Sequence, residues 1–272
     1  MADKELLTIS EVSVATEVKA VTLRAWQRRY GLIKPQRSSK GHRLFSRQDV
    51  ETIRQIVAWL SQGVSIGQVK SLLKTPTTSK PDNGYRDDQD RLLYLSCTLK
   101  LAELEHELDD LMHLYPTQVL HRQILMPWLQ ELEKLQRPDA DLIRYSSQQT
   151  LTELLCKTLN NPYAKTPLWL VVTAGVLSSY TVLLCRHELN ALGLNSHYLG
   201  PAEPDQFALH HDRFNQTGTL ILLGSGLSHS RIKQLQTWTG THYFIGAMGQ
   251  AYQDQGWLEQ PFYTSIQDAL GK

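Results

Sequence analysis

Arg24, Arg28 and Arg29 fall within a single short stretch of the chain. Arg24 and Arg28 are four residues apart, so on a helix they share a face, while Leu23, Trp26 and Tyr30 fall on another and read as core. A guanidinium fork meets a guanine edge or a phosphate through two parallel N–H bonds. Arginines beside a buried aromatic stripe therefore suit a helix inserted into a major groove. A second basic set follows in Pro35–Phe45, where Arg37, Lys40, His42 and Arg43 surround Gly41. This polar stretch, with a turn glycine and an apolar end, predicts a β-hairpin able to lie along a minor groove or the phosphates.

These side chains need short, well-stopped elements to aim them. Thr8 followed by Glu11 is a capping-box spacing and starts a first helix. A second helix is expected over Val21–Tyr30, stopped by Gly31 and kept stopped by Pro35. Ser46 with Asp49 caps a third, with Val50, Ile53, Val57 and Leu60 on one face and Gly63 at its end. A short helix over Ile66–Leu73 closes the segment.

The charge is unevenly spread. Residues 1–75 carry 13 Lys/Arg against 6 Asp/Glu, whereas the rest of the chain carries 15 against 21, so an overall net charge of +1 hides a basic head on an acidic body. That asymmetry fits a nucleic-acid grip joined to a part that avoids phosphate. No apolar run approaches the ~20 residues of a membrane helix, the N-terminus does not read as a secretion signal, and three scattered cysteines form no CxxC pair. A cytoplasmic protein with reduced thiols and no membrane partner is the expectation.

The organisation beyond the basic head has three parts. Residues 76–84, with Pro76, Pro81 and Gly84, read as a linker. Residues 85–163 show helical apolar spacing (Leu101, Leu104, Leu108, Leu111, then Leu120, Ile124, Trp128, Leu132) and predict a four-helix bundle, with Pro116, Pro127 and Pro138 dividing or starting its helices. Across residues 164–272 short β-forming runs, at Leu168–Thr173, His197–Leu199, Thr219–Leu223 and Thr241–Ile245, alternate with helical stretches near Ser178–Leu192, Pro204–Phe214 and Ser228–Trp238. That alternation predicts a doubly wound, Rossmann-like parallel sheet. The fold class is thus multidomain, α and α/β: a winged helix-turn-helix, a bundle and a Rossmann-like domain.

The ordered string Leu7-Thr8-Ile9-Ser10-Glu11-Val12, Thr22-Leu23-Arg24-Ala25-Trp26-Gln27-Arg28-Arg29-Tyr30-Gly31-Leu32, Pro35-Gln36-Arg37, Gly41-His42-Arg43-Leu44-Phe45 and Asp49-Val50 resembles the MerR family of transcription regulators over about residues 7–74. The Ala-Trp and Gly-His-Arg variants look like the branch whose effector domains resemble cobalamin-binding photoreceptors, and the full-length arrangement is similar to the activators of curli and biofilm regulators. The resemblance implies an activator that binds double-stranded promoter DNA as a homodimer and distorts an overlong spacer so that RNA polymerase can engage. The DNA-contacting set it implies is Thr22, Arg24, Arg28, Arg29, Arg37, Lys40, His42 and Arg43, with Arg24 in the major groove, His42 and Arg43 on the backbone, and Trp26 packing the wing against the helix. Family members often dimerise through a long helix after the fourth one. Pro76 and Pro81 interrupt that position here, which leaves the bundle as the alternative.

The C-terminal part resembles cobalamin-binding modules, which ligate cobalt with the histidine of an Asp-x-His-x-x-Gly loop after the first strand. The matching residues, 173–180, contain neither Asp nor His. The bundle's usual Trp and Glu-His elements are replaced around Leu135-Gln136 and Tyr145-Ser146-Ser147, while Ser225-Gly226-Leu227 and Gly246–Gly249 remain as echoes. The implied state is a retained fold with a degenerate cobalamin site and no cofactor, serving oligomerisation or protein contacts, a regulatory protein partner included. The alternative is a domain gated by another small molecule. Gly224-Ser225-Gly226 after a strand could cradle an anion, although a dinucleotide loop would need glycine where His229 stands. His210-His211-Asp212 makes a poor chelate because neighbours on a helix diverge. Cys185, His187 and Glu188 read as helix residues, and no nucleophile, base or metal set points to an enzyme.

Overall fold

The structure, a computed structural model, describes residues 6–73, 84–159, 168–201, 217–238 and 240–271. The chain forms two compact units, Met1–Leu154 and Leu155–Lys272.

In the first unit β1 (Leu7–Thr8) runs into α1 (Ile9–Thr16). Thr8 Oγ1 accepts the Glu11 N–H at 3.4 Å, and the Glu11 carboxylate accepts the Thr8 N–H at 2.7 Å, the reciprocal cap that the spacing predicts. The next helix begins as α2 (Ala20–Ala25) and widens into a π-helical segment, Trp26–Tyr30, that ends where the Gly31 N–H reaches back to the Trp26 carbonyl. Gly31 has φ 61°, a left-handed conformation that a Cβ would strain. The hairpin follows as β2 (Gln36–Arg37) and β3 (Arg43–Phe45), and β3 pairs antiparallel with both β1 and β2. Ser46 and Asp49 cap α3 (Arg47–Ser61) reciprocally, and α4 (Ile66–Leu72) completes the segment. The buried face of α3 is Val50, Ile53, Ile56 and Leu60; Ile56 holds the place expected of Val57.

Helices α5 (Arg86–Cys97), α6 (Leu101–Leu114), α7 (Thr117–Val119) with the π-helical segment Leu120–Leu125 and α8 (Met126–Glu133), and α9 (Ala140–Thr158) follow. Pro127 stands at the start of α8, directly after the π-helical segment. It sits inside the continuous run from 117 to 133, where it cannot donate to the carbonyl of Gln123. The Gln89 side chain donates to that carbonyl instead, at 2.6 Å. Trp128 fills the core with its indole N–H on the Ser96 hydroxyl, 3.2 Å away. Most of the expected linker, residues 76–83, and the end of the expected bundle segment, 160–163, lie outside the described residues.

The second unit is doubly wound. Strands β4 (Leu168–Ala174), β5 (Asn195–Pro201), β6 (Gly218–Leu223), β7 (His242–Ile245) and β8 (Phe262–Tyr263) form a parallel sheet in the order β5-β4-β6-β7-β8. Helices α10 (Ser179–Ala191) and α13 (Ile266–Leu270) cover one face through Val182, Cys185, Leu189, Ile266 and Ala269. Helices α11 (His229–Gln236) and α12 (Met248–Asp254) cover the other through Ile232, Leu235 and Tyr252. Burial on both faces explains why β4 and β6 read as unbroken apolar runs rather than alternating ones. The helical stretch expected near Pro204–Phe214 lies outside the described residues.

Candidate functional site

The helix expected to enter the major groove, residues 20–30 (the recognition helix), is built on two faces. Trp26, buried, and Arg29, exposed, are three residues apart and meet Leu114 and Asp110, four apart on α6. The Trp26 indole N–H donates to the Leu114 carbonyl at 2.8 Å, and Arg29 Nη2 lies 2.9 Å from Asp110 Oδ1. Leu114 ends α6, so its carbonyl has no N–H of its own helix to bind, and the indole supplies one. A buried clasp stands beside this contact: the Tyr85 hydroxyl donates to the Leu60 carbonyl at 2.7 Å, and the Tyr85 and Tyr115 rings meet edge to face at 5.4 Å. Tyr115 in turn donates to Asp88 at 3.0 Å. Burial raises the Asp88 carboxyl above its ordinary value, with the Tyr115 hydrogen bond pulling the other way.

This arrangement bears on three of the expected roles. The polar atom of Trp26 is spent on α6. Arg29 is exposed and ion-paired to Asp110, a pairing that Arg24 and Arg28 do not share. Thr22 is fully buried, so in this conformation its hydroxyl cannot reach a duplex. Its position four residues before Trp26 explains why: both lie on the core face.

Arg24 and Arg28 are exposed on the outer face, and among the described residues neither has a carboxylate partner. The wing carries its cations in a tighter pattern. Arg37 and Arg43 are directly opposite one another in the β2–β3 pair, a like-charge placement that destabilises a strand pair. They are steered to separate acceptors. Arg43 Nε donates to Gln27 Oε1 of the recognition helix at 2.6 Å, and Arg37 Nη1 donates to the Gly41 carbonyl at 3.4 Å. Lys40 and His42 are exposed at the tip, which is closed by the Ser38 N–H on the His42 carbonyl at 2.9 Å. Gln27 was not among the expected residues. Its spacing from Arg24 was visible, but only the hairpin register brings Arg43 to it.

Residues 7–75 match the family model described as "MerR HTH family regulatory protein". The N-terminal domain is a MerR-family helix-turn-helix. The chain is 41% identical over 128 residues to the HTH-type transcriptional regulator MlrA of Escherichia coli (strain K12), a match covering 47% of this chain and 52% of that protein. The MlrA of Salmonella typhimurium (strain LT2) matches to the same extent. The HTH-type transcriptional repressor CarA of Myxococcus xanthus is 34% identical over 79 residues, 28% of this chain and 27% of CarA. The chain thus spans about half the length of the MlrA relatives it matches.

Gly224-Ser225-Gly226 in the α/β unit was left open as an anion cradle. The backbone there is already engaged. The Gly224 N–H donates to the Ala174 carbonyl at 2.7 Å, the Ser225 N–H to the Val176 carbonyl at 3.2 Å, and the Val176 N–H returns to the Ser225 carbonyl at 2.9 Å. A Cβ on Gly175 would sit 2.5 Å from the Ser225 carbonyl oxygen, and one on Gly224 would overlap the Val176 carbonyl. These glycines permit two strand-end loops to close on each other at the switch point of the sheet, where such folds admit ligands. The first loop supplies no histidine or carboxylate, so its residues do not fit a histidine-ligated cobalamin. Among the described residues no three His, Cys, Asp or Glu side chains cluster as a metal site. Cys185 and His187 are buried helix residues, whereas His210, His211 and Asp212 lie outside the described residues. No described helix is long and apolar enough to cross a membrane.

Proposed function

We propose that this chain is a sequence-specific transcriptional regulator, an activator, whose MerR-type domain grips promoter DNA as a homodimer and distorts it for RNA polymerase. The observation that carries the reading is the cation field on one side of the domain. Arg24, Arg28, Arg37, Lys40 and Arg43 have no carboxylate partner among the described residues, and two of them are directly opposed across a strand pair. A folded domain retains such a placement most readily where an anion relieves it, and the regular anionic surface that an exposed helix and a wing could meet together is a duplex. Smoothly bending a site costs about 1–6 kcal/mol, which the bidentate and phosphate contacts of these residues would offset.

In this reading Arg24 and Arg28 enter the major groove, and Arg37, Lys40, His42 and Arg43 hold the backbone. The second unit serves oligomerisation or protein contacts without a histidine-ligated cobalamin. Fluorescence anisotropy with duplexes carrying a selected site and its scrambled counterpart tests it. Arg24→Ala should lose preference for the site, and Arg43→Ala should weaken both duplexes alike. Equal, weak binding of both duplexes by the wild-type chain would sink the proposal.

A further inference from the structure

The switch point between β4 and β6 is sealed, but the other side of β4 is open. Between the carboxyl ends of β4 and β5 and the flank of α10 lies a cavity of about 450 Å³, within the range of small-molecule sites, roughly 300–1,000 Å³. Its opening has a local cause: the β4–β5 pairing changes register between Val171 and Thr173, so the strands part at their ends. Val182, Leu183 and Pro201 give it apolar walls. Two polar features face it. Thr173 Oγ1 and the Tyr198 hydroxyl are 3.1 Å apart, each with hydrogen-bonding capacity left over. Arg186 is half-buried in the lining and makes only two long bonds, Nε to Ser196 Oγ at 3.4 Å and Nη2 to the Ser196 carbonyl at 3.3 Å. Among the described residues it has no carboxylate partner.

We propose that this cavity binds a small organic monoanion with an apolar body. A half-buried guanidinium with no counter-ion among the described residues is the group that an entering carboxylate satisfies through a charge-assisted, two-pronged hydrogen bond. The hydroxyl pair would orient a polar substituent, and the aliphatic walls would take the body. The single cation among the described lining residues and the engaged amides of Gly224 and Ser225 in the neighbouring loop argue against nucleotides and other multiply charged phosphates. The site lies wholly within the second unit, so this inference stands or falls independently of the DNA reading.

Titration calorimetry on the full chain tests it, with 1-naphthoate and octanoate as probes and 1-naphthamide as the uncharged counterpart of the first. Saturable one-to-one binding of at least one anion is expected, with naphthoate favoured over naphthamide by about ten- to a hundredfold, the worth of a hydrogen bond to a charged group. Arg186→Gln should erase that preference, and Arg186→Lys should keep part of it. Leu183→Trp should block both naphthalene probes, and an unchanged Tm would show that these variants fold. Absence of saturable anion binding by the wild type would overturn the proposal, as would equal affinity for naphthoate and naphthamide or an Arg186→Gln chain that binds like wild type.

Discussion

Replacing Trp26 with Phe separates the recognition helix from its support by removing one donor. The indole is fully buried, and its N–H is the partner of the Leu114 carbonyl at the end of α6. Leaving a buried acceptor underserved costs about 1–3 kcal/mol. The smaller ring adds a packing loss of about 1–2 kcal/mol, in line with modest large-to-small core changes. The sum is about 2–5 kcal/mol. For a unit of this size each kcal/mol lowers Tm by roughly 2–4 °C, so a fall of about 4–20 °C follows. Because Trp26 ties the MerR-type domain to α6, and Tyr85 at the start of α5 ties to it through α3, the melt should remain one transition for that whole unit. Scanning calorimetry, with far-ultraviolet circular dichroism as a second probe, reads it. A Tm change below 1 °C, or separate melting of the DNA-binding helices, would refute the idea that the bundle supports the recognition helix.

Other perturbations probe different groups. The Asp88 carboxyl has a folded pKa above its unfolded value, chiefly through burial, so its contribution favours the folded state at low pH and is lost as pH rises through the folded pKa. Asp88→Asn keeps an acceptor for Tyr115 and removes the buried charge. It should raise Tm at pH 7, with the gain shrinking below pH 4; a lower Tm at pH 7 would contradict the assignment. Cys156 is exposed and Cys185 buried, with burial pushing the Cys185 thiol up. Ellman's reagent should therefore modify Cys156 in the native protein and Cys185 only after unfolding, and rapid native labelling of Cys185, read by peptide mass, would show the packing of α10 to be wrong. After incubation with hydroxocobalamin and desalting the protein should be colourless; visible absorbance at one cofactor per chain would show that the sealed strand-end loops open.

Much of this was legible in local spacing. Thr8 with Glu11 and Ser46 with Asp49 form the caps their positions predict, because a cap needs only residues three apart. The β4 and β6 runs were visible because both faces of the sheet are buried. Phe262–Tyr263 was missed because a two-residue strand makes no pattern. At the DNA-binding face, residue type outweighed position. Thr22 was grouped with the contacting residues although its offset of minus four from Trp26 places it on the buried face. Arg43 on Gln27 and Arg29 on Asp110 could not be read locally, since each pair is made by tertiary register. The same holds for Pro127, whose cost is met by Gln89 from another helix, and for the cavity beside β4, which depends on a change of strand register.

The most direct test of the MerR-type domain as a sequence-reading grip is selection of genomic fragments by the purified chain, followed by sequencing, with wild type and Arg24→Ala compared at two salt concentrations. The wild type should enrich one imperfect palindrome, with binding that falls steeply with salt as the cations release counter-ions, and Arg24→Ala should lose that enrichment while still retaining bulk DNA. Fragments recovered in proportion to the input by both proteins would contradict it.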